Sequence, residues 1–210
     1  RPRKTRSISE FGAFSAEIAA VSVSTRKGDV LFDQDEQPGR CDTNKIPTLR
    51  AAFQKDGTIT AATSSSINDG AAALVISTEE CVNANGLTAI ARIVAQASHS
   101  QAPEWFTTAP IGAIQSVLRK AQWTVADVDL FEINEAFATV AMAPIQELGV
   151  PHEKLNVNGG ACALGHPIGA SGARIIVTLI HALQARGLRK GVASLCIGGG
   201  EATAIAIELA

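Results

Sequence analysis

From Thr88 to the C-terminus the chain alternates strand-like and helix-like apolar patterns, and few architectures accept that order. The stretch "TAIARIVAQAS" reads as a buried strand. Ile111, Ile114, Val117, Leu118 and Ala121 then recur at helical spacing. "DVDLFEI" reads as a short strand, and a helix is predicted over Glu135 to Leu148. "GARIIVTLIHALQARG" reads as a buried helix with Gly187 as its stop. "GVASLCI" and "ATAIAIEL" are closing strands separated by glycines. Strand, helix, strand, helix, helix, strand, strand is the order of a layered α/β domain, with helices covering the faces of a sheet.

Upstream of Thr88 the patterns are weaker. "GAFSAEIAAVSVSTRKGDVLF" alternates around Ile18, Val21 and Val23, breaks at a Lys-Gly-Asp turn and resumes, which predicts a hairpin. "DQDEQPGRCDTNKIP" is loop-like, and "TLRAAFQKDGT" predicts a short helix stopped by Gly57. An apolar strand is expected over Ala71 to Ile76, then a helix in "TEECVNANGL" with Thr78 as N-cap and Gly86 as its stop. No short-period repeat is present.

Composition narrows the class. Of 210 residues, 46% are hydrophobic and 18% charged, enough to bury a sizeable core. A net charge of −2 carries no nucleic-acid footprint. The one basic cluster, "RPRKTR" at the start, reads as a solvated arm or an expression scar. Cys41, Cys81, Cys162 and Cys196 show no CxxC spacing, so neither a zinc site nor any other metal is expected. No apolar run approaches the ~18–20 residues of a membrane span, and no secretory signal is visible. Free thiols in a reducing, cytoplasmic compartment are therefore expected. The chain begins with Arg, which suggests a processed or truncated piece of a longer protein, or residues preceding those given.

Three segments at strand–helix junctions could carry chemistry: "NEAFA", "GGACALGHPIGASG" and "CIGGG". His166 sits between Gly165 and Pro167, in a loop stiff at the proline and nearly free of side chains around the ring. That suits an imidazole that must be aimed, although a core histidine on a turn remains an alternative. A phosphate cradle would need a following Gly-Lys-Ser/Thr, which is lacking. Cys196 ends an apolar strand just before Gly198, Gly199 and Gly200. It is either a small hydrophobe or a thiol beside a nest of backbone donors for an oxyanion. A thiol titrates near about 8.5 and becomes a base or nucleophile when neighbours lower that value. Asn134 is either a helix N-cap or an amide that fixes a water or a substrate oxygen.

Together these segments resemble the thiolase family. The ordered triplet is Asn-Glu-Ala-Phe, then Asn-x-x-Gly-Gly-x-x-x-x-Gly-His-Pro-x-Gly-x-Ser-Gly, then Cys-x-Gly-Gly-Gly. "RKGD", "DGTITA" and "INDGAAAL" upstream are similar as well, so the likeness runs from about Gly12 to the end. "FEINEAFA" and "LCIGGG" are most similar to short-chain members. The resemblance implies an α/β, thiolase-like layered α-β-α-β-α fold, here its C-terminal half plus part of the loop domain. Residues 1–65 would belong to the coenzyme A (CoA)-binding loop domain, 66–87 would complete the N-terminal domain, and 88–210 would form the C-terminal domain.

The implied reaction condenses two acetyl-CoA to acetoacetyl-CoA and CoA, or runs in reverse as thiolysis of short-chain 3-ketoacyl-CoA, with a place in fatty acid metabolism. CoA is substrate and product, and no covalent cofactor is implied. His166 matches the histidine that activates the acyl-carrying cysteine and donates to the thioester oxygen. Cys196 matches the cysteine that moves the α-proton. Asn134 matches the residue holding a water in the same oxyanion hole, and the Gly198 N–H matches a donor of the other. Ser65 falls at a CoA contact, Ala136 and Phe137 in the pantetheine tunnel, Arg40 at the adenine or phosphate end, and Phe106, beside Trp105, at the acyl pocket. An α-proton beside a thioester is too weakly acidic for an unaided thiolate, so preset donors at the enolate oxygen are what the chemistry needs.

Departures from the pattern shape the expectation. Thiolases are about twice this long, and their acyl-carrying cysteine lies in a first-half Cys-x-Ser-Gly segment that is absent here. Cys41, Cys81 and Cys162 do not replace it. Ser66 stands where a glycine is usual. The chain is therefore expected to pair with an N-terminal half bearing the nucleophile, in a homo- or hetero-oligomer, dimer or tetramer. The alternative is a non-catalytic CoA-thioester-binding subunit or scaffold, which would need neither His166 nor Cys196.

Overall fold

The computed structural model describes residues 12–210, so the basic N-terminal stretch lies outside the described residues. The alternation at residues 18–32 closes as expected into an antiparallel hairpin, β1 (Val21–Thr25) against β2 (Gly28–Phe32). Both its strands are exposed. A single turn of helix, α1 (Gln37–Arg40), follows. The helix expected before Gly57 does not form. Residues 50–57 are bends closed by Ala52 N–H donating to Ile59 O at 2.8 Å.

Ala71 to Ile76 has strand composition but pairs with nothing among the described residues. Val75 is 101% exposed and Ile76 74%. Propensity alone does not make a strand; a neighbour must accept its ladder. The next helix, α2 (Glu79–Ala84), starts as expected, with the Thr78 hydroxyl accepting from Cys81 N–H at 3.2 Å.

The remaining elements are β3 (Ala91–Ser100), α3 (Ala109–Ala121), β4 (Leu130–Ile133), α4 (Ala138–Leu148), α5 (Ala161–Leu164), α6 (Ser171–Arg186), β5 (Lys190–Ile197) and β6 (Glu201–Leu209). The four strands form one sheet in the order β3-β6-β5-β4, parallel only between β4 and β5. The period of two sorts its side chains. Phe131, Ile133, Val192, Cys196, Ala202, Ala204 and Ala206 face α3 and α4 in one core. Leu130, Ala193, Ile207 and Leu209 face α6 in the other. In α6 the buried positions Ile175, Thr178, Leu179, Ala182 and Leu183 follow helical spacing, and Gly187 at φ 64 ends the helix.

Two expectations need correction. β3 is an edge strand paired only with β6, and Ala97 alone of its residues is buried, so the strand is half-covered and not buried. The helix predicted from Glu135 begins at Ala138. Residues 136–138 instead pair with the segment 63–65: Ser65 N–H donates to Ala136 O at 3.0 Å and Ala138 N–H to Thr63 O at 2.8 Å. A tertiary ladder outcompetes the first helical turn.

The N-terminal segment leans on α6 through Glu17, which is hydrogen-bonded to Thr178 and faces Arg174. Burial pushes its carboxyl from 4.5 up to about 7, against the opposing pull of Thr178 and Arg174. Between those values the folded chain keeps a proton that the unfolded chain releases, so Glu17 subtracts stability as pH rises through the window. Glu17→Gln removes that titration. Its urea midpoint, followed by circular dichroism, is expected to exceed the parent's at about pH 8 and to converge on it below about pH 4.5.

Candidate active site

The site is assembled at the C-terminal ends of the two parallel strands. Beyond β4, Asn134 N–H donates to Ser194 O of β5 at 2.9 Å, extending the ladder by one residue. Cys196 lies two residues further along β5. The carboxamide of Asn156 caps β4 from the other side: its Oδ1 accepts from Ile133 N–H at 2.8 Å and its Nδ2 donates to Ile133 O at 2.9 Å. The same Nδ2 donates to Glu135 Oε1 at 2.9 Å, and Cys162 N–H donates to Glu135 Oε2 at 3.3 Å. Glu135, fully buried, thus ties the segment after β4 to the start of the histidine loop. Gly160 lies against that carboxylate, in space a Cβ would need.

The loop then presents His166. Gly165 takes φ +92, and a Cβ there would overlap the Asn68 carboxamide. His166 N–H donates to Ser66 O at 2.9 Å, so the 63–68 segment grips both the residues after β4 and the histidine. Both ring nitrogens are engaged. Nδ1 meets Ser171 Oγ at 2.5 Å, and Nε2 meets Asn134 Nδ2 at 3.3 Å. Ser171 Oγ donates its one proton to Pro167 O at 2.9 Å, so it can only accept from Nδ1. The neutral ring therefore carries its proton on Nδ1, and the Nε2 lone pair faces the Asn134 amide.

These contacts decide the open reading of Asn134 and show how His166 is held. Asn134 is not an N-cap: α4 starts four residues later with Phe137 at the cap, and the buried Asn134 side chain serves the histidine. Its Oδ1 makes no hydrogen bond among the described residues. His166 is half-buried and held at both nitrogens. Burial, with Arg174 adding repulsion, lowers its proton affinity and keeps the ring neutral near neutral pH.

Cys196 departs from expectation. Neighbours that lower its pKa are absent from the balance; burial dominates and pushes the thiol up, only partly offset by a backbone hydrogen bond. It belongs to the same buried core as Ala202, against which Phe106, Ala136 and Phe137 pack. Gly198 lies in the turn to β6, with open space where a Cβ would be. Phe137 joins Phe106 and Phe53 edge-on, at centroid distances of 6.3 and 6.0 Å. The Ala136 carbonyl accepts from both the N–H and the hydroxyl of Ser65, the latter at 3.1 Å.

His166, Asn134, Ser65, Ala136, Phe137 and Phe106 thus belong to one connected region, with Cys196 and Gly198 at the adjoining end of β5. Arg40 does not join them. It is exposed and paired with Glu36 at 3.0 Å. Sequence reasoning missed Ser171, Asn156 and Glu135. The signal for Ser171 was a small hydroxyl one helical turn after the histidine. For Glu135 it was a carboxylate at the end of an apolar strand.

Ser171→Ala leaves Nδ1 without its partner beside a fully buried position, at a cost of about 1–3 kcal/mol, while Pro167 O keeps the backbone N–H groups of Ala170 and Ser171. Nitrogen-15 spectra of the ring are expected to show the Nδ1–H tautomer in the parent and a mixture in the variant.

The comparisons with known proteins agree with this geometry. Residues 87–209 match the family "Thiolase, C-terminal domain", and residues 3–80 match "Thiolase, N-terminal domain". Acetyl-CoA acetyltransferase of Escherichia coli (strain K12) is 53% identical over 98% of this chain and 52% of its own length. The crystal structure of the Bacillus anthracis acetyl-CoA acetyltransferase superposes with a TM-score of 0.94 at 42% identity, over 100% of this chain and 54% of that one. A thiolase from Ascaris suum, solved in complex with coenzyme A, superposes at 0.87 with 40% identity, over 100% of this chain and 53% of that one. The chain spans about half the length of the curated relatives it matches. The fold is that of the thiolases, and the chain belongs to the thiolase family.

Proposed function

We propose that this chain supplies the proton-transfer and oxyanion half of a thiolase site, active on acetyl-CoA and short-chain 3-ketoacyl-CoA. The observation that carries the reading is the Ser171–His166–Asn134 relay, whose Asn134 is held by Ser194 O two residues before Cys196 on the neighbouring parallel strand. A neutral imidazole whose Nε2 lone pair is met only by the long Asn134 amide contact can take the proton of an acyl-accepting thiol, and the resulting imidazolium can then donate to a thioester oxygen. The buried Asn134 Oδ1, lacking a protein partner, suits a water that shares the same oxyanion. Cys196 then exchanges the α-proton. In condensation its thiolate removes a proton from acetyl-CoA, and the enolate carbon attacks the acyl group on the nucleophilic cysteine. A carbon–carbon bond forms, that cysteine leaves as thiolate, and acetoacetyl-CoA departs. In thiolysis the protonated Cys196, the form burial favours, returns the proton to the α-carbon.

The acyl-carrying cysteine comes from outside these 210 residues in this reading. The unpaired Ala71–Ile76 run supports a missing structural partner, as does the apolar groove of about 170 Å³ between Ile175, Ile176, Leu195 and Ile205. The assembly is an oligomer, dimer or tetramer. Residues 1–65 contribute to the CoA loop region, 66–87 complete the nucleophile domain, and 88–210 form the catalytic C-terminal domain. Ser65 receives the CoA amide as an acceptor, because its proton is already given to Ala136 O. Phe106 and Phe137 line the acyl and pantetheine path, Gly198 N–H faces the second oxyanion, and Arg40 reaches the nucleotide end from an exposed position. The free thiols of Cys41, Cys81 and Cys196 suit the cytoplasm. Among the described residues no helix is long and apolar enough to cross a membrane.

Reconstitution with an N-terminal thiolase segment carrying the acyl cysteine tests the reading. Acetoacetyl-CoA thiolysis is expected to appear, and to fall about 10²–10⁴-fold in His166→Asn and in Cys196→Ala with CoA affinity nearly unchanged. Tight CoA binding without thiolysis in any reconstitution would leave a scaffold subunit and end the catalytic reading.

A further inference from the structure

The two hydrogen bonds that hold the His166 ring come from different elements, and one buried ion pair joins those elements. Glu132 lies two residues before Asn134 on β4, and Arg174 lies three residues after Ser171 on α6. Arg174 Nη1 stands 3.9 Å from Glu132 Oε2, with the Glu132 side chain 2% exposed and that of Arg174 19%. Glu132 is a carboxylate between Phe131 and Ile133 on a strand buried at every position, so nothing about the strand calls for a charge there. The N-terminal segment adds two more carboxylates, Glu17 and Asp35, that feel the same guanidinium. Arg174 Nη1 makes no hydrogen bond among the described residues, and neither does Glu17 Oε2.

We infer that Arg174, anchored on Glu132, is a positioning residue for His166: the pair clamps β4 to α6 and keeps a positive charge beside the ring. The clamp sets the separation between Asn134 and Ser171, and with it the geometry at both nitrogens. The charge opposes protonation of the ring, acting in the same direction as its burial, which is the larger effect. Of the charged groups, Arg174 from α6 acts on the ring, and Glu132 from β4 with Glu17 and Asp35 from the N-terminal segment surround Arg174. Each carboxylate moderates the cation, so the resting charge at the ring is a balance that any of them can shift.

This inference rests on His166 as the base, yet its test needs no turnover. The ring-proton resonance of His166, one of four histidines, is identified by its loss in His166→Asn and followed against pH in the full chain. Arg174→Met is expected to shift the His166 midpoint upward, Arg174→Lys to restore it, and Glu132→Gln to move it downward. If Arg174→Met does not fold, the Glu132→Gln/Arg174→Met double variant, neutral at both positions, is expected to shift the midpoint away from the Glu132→Gln value, upward. An unmoved midpoint in folded Arg174→Met or in the double variant overturns the inference. So does an Arg174→Lys chain that titrates like Arg174→Met. Lost thiolysis with a moving midpoint would instead count against the catalytic reading alone.

Discussion

A single imidazole pinned at both nitrogens organises this half of the molecule. The Ser171 hydroxyl can accept only because its own proton goes to Pro167 O, so one short hydrogen-bond chain sets the tautomer as well as the orientation. The opposite nitrogen meets an amide that the β4–β5 ladder has already placed. One partner opens the following helix, five residues on, and the other lies 32 residues upstream on a different element. The ring is therefore as well placed as the packing of β4 against α6 allows.

Several buried polar groups serve that packing. Asn156 substitutes for a neighbouring strand at the edge of β4, and Glu135 receives donors from Asn156 and from the loop that leads to His166. Isolated in an apolar core such groups would be costly, but connected they fix one arrangement. The glycines complete it by subtraction: Gly160 makes room for the Glu135 carboxylate and Gly165 for the Asn68 carboxamide. Side chains at either position would push the histidine loop off the residues that hold it.

The protonation balance is equally collective. Burial, with a neighbouring guanidinium, lowers the proton affinity of His166, while burial raises that of the Cys196 thiol. Both groups belong to the region at the C-terminal ends of the parallel strands, His166 through its contact with Asn134 and Cys196 on β5 itself. Val75 and Ile76 stay exposed, and an apolar groove opens beside α6.

Much of this was legible in local pattern. The hairpin, Thr78 as a cap, α3, α6 with Gly187, and the two closing strands follow from periodicity and capping chemistry, which depend only on near neighbours. The glycine-flanked histidine and the cysteine before three glycines also stood out, because such compositions are expensive unless something must approach closely. What tertiary structure decided was every property that depends on a distant partner. Residues 71–76 have strand composition but no ladder to join among the described residues, and residues 136–138 pair with segment 63–65, which delays the helix. Asn134 serves His166 and not a helix end, and the Cys196 thiol is raised and not lowered. Hydrogen-bond satisfaction and desolvation are sums over whatever surrounds a group in space, and a linear sequence does not contain those sums.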